Sequence, residues 1–183
     1  MLAPGRGTGI IRRVSIEILI PTTRTLGGAT SAILQQLLGP GFANIDRPET
    51  ESIEVELTNV DSREWGEFVP DDKSPQELRD MIKDDKEILR VRIPLRLGHF
   101  LLFPGFVVLC RPDDYEEFAS DPRSRQIIGR ESLELANAFM APELIVCGDA
   151  ATDFLGTDAN DWASLKEVLT EEEIPHTAIQ IPR

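Results

Sequence analysis

Thiols and imidazoles are scarce in this chain of 183 residues, which has two cysteines, Cys110 and Cys147, and two histidines, His99 and His176. Two thiols cannot staple a disulfide scaffold, and each ends an apolar run. Both are therefore expected to be buried and reduced, as in a cytoplasmic protein. The histidines lie far apart in sequence, with no Cys or carboxylate at ligand spacing, which argues against a His-based zinc centre. Basic charge is short as well: 19 Lys+Arg stand against 32 Asp+Glu, a net charge of -13. A chain with a pI near 4.6 lacks the Lys/Arg face that neutralises phosphates, so nonspecific nucleic-acid binding is excluded. No run reaches the roughly 18 apolar residues of a membrane span. The longest, 100–110, is broken by Pro104 and Gly105. Glu17 interrupts the apolar stretch behind Arg12 and Arg13, so no signal peptide is expected.

What remains is the composition of a folded domain. At 41% hydrophobic and 28% charged, the chain is outside the range of wholesale disorder. Its length fits one domain with a real core. Residues 1–11, rich in Gly and Pro, read as a flexible lead-in to a single domain over 12–183. Alternation of apolar and polar residues predicts strands over 12–20, 52–57 and 88–95. Glu54 and Glu56 on one wet face and Arg90 and Arg92 on another suit neighbouring strands, at roughly 0.2–1 kcal/mol per cross-strand pair. Continuous apolar runs at 106–110 and 144–147 predict central strands covered on both faces, and 177–181 closes the chain as a further strand. Helices are expected over 30–38, 74–83, 113–119, 131–140 and 161–170 from apolar spacing and from caps such as Ser74 and Pro75. The order is that of an α/β domain with a mixed sheet of about five or six strands flanked by helices. Its carboxyl-terminal half, β-α-β-α-β, implies parallel pairing there.

Two loops have the composition of a site. Residues 21–30 offer hydroxyls from Thr22, Thr23, Thr25 and Thr30, the charge of Arg24 and the flexibility of Gly27 and Gly28, all ahead of a helix. That inventory matches an anion cradle, although the same Gly and Thr residues also make an ordinary turn capped by Thr30. The spacing fits neither a P-loop nor a Rossmann fingerprint. It is loosely similar to the Thr-rich phosphate loop of flavodoxin-like proteins. In the second loop, Gly148, Asp149 and Asp153 follow an apolar strand. This resembles the G-D-x-x-x-D motif of haloacid-dehalogenase-like phosphatases, and the resemblance implies Mg²⁺ held by Asp149 and Asp153. That family's Asp nucleophile has no counterpart here, because Ile20, Pro21, Thr22 and Thr23 occupy its place, so aspartyl-phosphate chemistry has no first step. No G-x-S-x-G elbow is present either.

The charge is unevenly spread. Residues 1–48 carry five bases and two acids, a balance of +3, leaving -16 on the other 135. Residues 143–182 hold nine acids and one base, Lys166. The expected function is therefore that of a non-catalytic interaction or regulatory protein turning an acidic surface to a basic protein partner. The alternative is a small enzyme or ligand-binding domain with an anionic substrate at residues 22–30 and a divalent cation at Asp149 and Asp153. The two loops would meet only if the strands preceding them were parallel neighbours.

Overall fold

A computed structural model describes residues 15–38, 55–59, 68–69, 77, 80, 88–95, 98–148, 154–155 and 161–182. The expected lead-in over 1–11 and the metal candidates Asp149 and Asp153 lie outside these residues. Of the helix expected over 74–83, Glu77 and Asp80 are described, and both are helical.

The expected α/β architecture, an open sheet flanked by helices, is present. The strands are β1 (Ile16–Pro21), β2 (Val55–Asn59), β3 (Phe68–Val69), β4 (Ile88–Leu95), β5 (Gly98–Phe103), β6 (Phe106–Arg111), β7 (Glu143–Gly148) and β8 (His176–Gln180). The described helices are α1 (Leu26–Leu38), α2 (Tyr115–Ser120), α3 (Pro122–Ala138) and α4 (Trp162–Glu171). Across the sheet the order is β3-β2-β4-β5-β6-β1-β7-β8. β2 and β4 are neighbours as expected, with Glu56 in register with Arg92.

One expectation is corrected. Every described ladder is antiparallel, including those of the carboxyl-terminal half. The crossover from β6 through α2 and α3 to β7 does give two strands of one direction. However, β1 is inserted between them and runs against both. The second crossover turns antiparallel for a different reason. Trp162 at the start of α4 donates from Nε1 to Glu143 Oε1 at 2.6 Å, so the helix begins beside the start of β7. α4 thus runs along β7 from its start, and β8 begins at His176, opposite Cys147 at the far end of β7, and runs back against it.

Both faces of the sheet are covered. Ile16, Ile18 and Ile20 of β1 join Phe100, Leu102, Val107, Leu109, Leu144 and Val146 under α1, α2 and α3. Leu19, Leu101, Val108, Ile145 and Cys147 lie under Leu165 and Leu169 of α4. β1 is buried on both faces, and even Glu17 is 2% exposed, so its alternating pattern does not mark a wet side. Arg111, at the end of β6, bonds Asp113 through Nε at 2.6 Å and pairs with the buried Glu131 of α3. Removing one partner of such a buried pair costs about 3–5 kcal/mol.

Local chemistry accounts for the boundaries. α3 starts nine residues before the expected 131 because Asp121 caps Ser124 N at 2.8 Å and Pro122 occupies the first turn. Its polar first half hides the apolar stripe, which begins at Ile128. The β5–β6 hairpin turns on Pro104 and Gly105, the latter at φ 86, the residue pattern of a type II turn. Gly98 opens β5 at φ 114, and a Cβ there would run into the Cys110 carbonyl oxygen. Gly98→Ala should therefore cost more than about 3 kcal/mol. Gly105→Ala meets only the conformational cost of about 1–2 kcal/mol, since nothing lies within 4 Å of its Cβ position. Chemical denaturation of the two variants should rank them in that order.

Candidate functional site

The apolar groove at the end of the sheet where β1 stops is built by four separate events. β1 ends at Pro21, and Thr22 N donates to Gly105 O at 2.9 Å, tying it to the β5–β6 hairpin. α3 ends at Phe139 and Met140, Ala141 and Pro142 lead into β7, and Asp161 and Trp162 start α4. Together with Phe106, Thr22 and Thr23 these residues line a cavity of about 450 Å³. The Phe106 and Trp162 rings sit 6.3 Å apart. Polar groups are few and lie at the rim, which is the usual make-up of a binding cavity.

Of the residues expected to form an anion cradle, Thr22 and Thr23 face this groove. Arg24 is engaged with α3 instead: Nη2 donates to Ala138 O at 3.2 Å, and the guanidinium stands 5.3 Å from the Phe139 ring centroid. Helix α1 begins at Leu26, four residues before the expected start. Thr25 rather than Thr30 is its cap, with Thr25 Oγ1 accepting from Gly28 N at 3.1 Å. Gly27 and Gly28 are helical residues rather than a flexible loop. Thr30 is buried in the helix, where its hydroxyl donates to Leu26 O at 2.8 Å. The Thr22 hydroxyl oxygen accepts from Arg24 N at 3.1 Å. Most of the loop's inventory is thus spent on starting a helix.

The second loop leaves Gly148, which is in register with Ile16, at the opposite end of β1 from Pro21. The parallel neighbours that would bring the two loops off the same strand ends are absent. What does return to the groove is the far end of that loop, at Asp161. Asp161 accepts from Ala163 N and Ser164 N, and these bonds, led by Ser164, hold its carboxyl below the usual carboxylate range. A negative charge therefore stands at the groove rim at neutral pH.

Met140 dominates the other rim. It is 80% exposed and sits at φ 53, where a helix usually places glycine. Met140 N donates to Asn137 O and Ala141 N to Ala136 O, the two bonds of a Schellman motif. Glu173 fills the corresponding position after α4 at φ 54. Left-handed backbone costs a β-carbon about 1–2 kcal/mol, so at Met140 a large apolar side chain is held in solvent against conformational preference. Apolar spacing over 131–140 places Met140 in the buried stripe with Leu133, Ala136 and Phe139; the structure instead ends the helix at Ala138 and leaves Met140 exposed. Below the groove, Glu143 accepts from Trp162, from Gln180 at 2.8 Å and from Lys166. The Lys166 bond is the first of these in holding its carboxyl below the usual range.

A further alignment appears only with the strand register. His99, Cys110, Glu17, Cys147 and His176 stand in one row across five strands, on the α4 side. The row does not converge. Cys110 and Cys147 are separated by β1, roughly 10 Å between Cα atoms from the usual strand spacing, beyond disulfide reach. Among the described residues no group of three or more His, Cys, Asp or Glu is placed to hold a metal ion. Burial, followed by the charges of Arg92 and Arg90, lowers the His99 pKa from 6.5 to about 4.

The chain matches no protein-family description, no curated protein and no solved structure.

Two pH responses follow. The unfolded chain protonates His99 near pH 6.5 while the folded chain waits until about 4, so stability falls as pH drops through that window. His99→Gln should flatten the upper part of the denaturation-midpoint profile. Glu143 acts lower down: its depressed folded pKa contributes stability above the model-peptide value of about 4.5, lost as pH falls further. Glu143→Gln should shrink that acid limb, to which Asp161 also contributes, and leave the upper one.

Proposed function

We propose that this chain is a non-catalytic interaction protein that receives a basic partner across the groove and the solvent face of α4. An apolar side chain of the partner enters between Phe106, Phe139 and Trp162, against the adaptable Met140. The partner's cations meet Asp161, Glu167, Glu171, Glu172 and Glu173, all exposed. Lys166, the one base in that stretch, is already paired with Glu143. The observation that carries the reading is Met140, exposed at a left-handed position beside an acidic helix. Strain kept at the rim of a cavity is a reason to infer use there.

Charge supplies steering and specificity, and the buried apolar anchor supplies most of the affinity. Immobilised chain should retain basic proteins at about 50 mM salt and release them by about 500 mM, where charge is screened within a few ångströms. Met140→Gly relieves the left-handed strain, so it should stabilise the fold by about 0.5–1 kcal/mol. The same change should cut retention severalfold. Equal retention by Met140→Gly, or retention indifferent to salt, would contradict the reading.

A further inference from the structure

We infer that β8 is a self-association edge, at which a second copy of this chain adds its own β8 antiparallel about a two-fold axis at Ala178. β8 closes one end of the sheet. Its inner partners follow from the ladder: Ile181 N donates to Pro142 O and Gly148 N to Pro175 O, which in the antiparallel register makes Ile179 and Thr177 the inward-bonding residues. The N–H and C=O groups of His176, Ala178 and Gln180 then point away from the sheet. All three residues are exposed, so the edge is open along its whole length. Pro175 and Pro182 bound it on either side.

Natural edge strands are usually blunted by lysine, proline, a bulge or extreme brevity. The opposite edge, β3, is two residues long. Between its flanking prolines β8 has none of these devices: it runs five residues, HTAIQ, with no Lys or Pro within it and no bulge in its ladder. The sequence of the edge also selects the partner. It lies inside the stretch 143–182 with nine acids and one base, yet contains no acid and no Lys or Arg. A basic strand would find no complementary charge along it, whereas an uncharged strand loses nothing by pairing there. The chain's own β8 is such a strand, and it is self-complementary. With Ala178 opposite its own copy, the outward groups of His176 meet those of Gln180 and close every donor and acceptor of the edge. The side chains match too, with Thr177 opposite Ile179 and the small Ala178 at the axis.

Repulsion between the two copies does not prevent this pairing. Glu171, Glu172 and Glu173 precede β8, so the two acidic clusters fall at opposite ends of the paired strands, about 30 Å apart at strand rise. That is several Debye lengths at physiological salt.

Light scattering on the full chain should give a mass approaching twice the 20.4 kDa of one chain, and added salt should preserve or tighten it. Ala178→Pro deletes only an outward N–H, which the β7 ladder does not use. Ala178→Lys sets two like charges at the axis while leaving the inner ladder whole. Each should weaken association at least tenfold without lowering the melting temperature enough to unfold the chain. A monomer at about 1 mM, a dimer that survives both variants, or one that salt dissociates would each overturn the inference. Retention of basic proteins by Ala178→Lys is a separate readout, so loss of the seam and loss of the partner surface are distinguishable.

Discussion

The position of β1 is the constraint on which the rest depends. It lies between β6 and β7, antiparallel to both, and is buried on each face. Its insertion forces the β6–α2–α3–β7 connection to span an intervening strand. That lays α3 over β1 and brings the end of α3, at Phe139 and Met140, to the point where β1 stops. The same strand aligns the β5–β6 hairpin, because Thr22 N bonds Gly105 O just beyond the last paired residue. The groove is therefore a consequence of where β1 ends. No single loop builds it; three chain ends and one hairpin meet there because one strand dictates their level.

Energetically, the two faces are asymmetric. Among the described residues α1, α2 and α3 cover one side, and α4 with Leu155 covers the other, so α4 is the main cover of the half of the core nearest the acidic surface. It begins with a capping box, Asp161 against Ser164, and is pinned to the sheet through Trp162 and Lys166 on Glu143. Its first turn is thereby made firm where it meets the groove. Its last turn ends instead on Glu173 in left-handed backbone. Acids at the carboxyl end oppose the helix dipole, so charge and conformation both work against stability there, in the stretch that the proposed partner would contact.

Much of the fold was legible because its determinants are local. Apolar runs at 106–110 and 144–147 located central strands, and the arginines of 88–95 located a neighbour for Glu56. Asp161 marked the start of the last helix almost to the residue. The misses share a cause: they depend on what lies next to an element rather than within it. The parallel pairing expected of β6 and β7 would have followed had β1, about ninety residues earlier in the chain, not entered between them. Thr30 looks like a cap in sequence, but Leu26 and Ala29 are needed in the core, so the helix extends back over Gly27 and Gly28 to Thr25. The groove fared similarly. Thr22 and Thr23 stood in a loop of suggestive composition, whereas Phe106, Met140 and Trp162 come from distant segments that carry no shared pattern. The row from His99 to His176 is invisible without register.

Net charge is a poor guide to this molecule because opposite signs are sorted in space as well as in sequence. The carboxyl-terminal three quarters is strongly acidic, yet α3 within it exposes Arg123, Arg125 and Arg130, on the face of the sheet opposite α4. The neutral β8 edge divides the two. Pairing about Ala178 uses an axis perpendicular to the sheet, so it keeps like faces together. Both α4 helices would share one side of a continuous sheet, and both α3 helices the other. The two grooves would then lie at opposite ends of the paired strands on that side. A partner bearing two basic, apolar-anchored segments would meet both, and its second contact would form at the effective concentration set by its linker. On this geometry the neutral edge would not compete with the acidic surface for a ligand; it would set the spacing at which two acidic surfaces are presented.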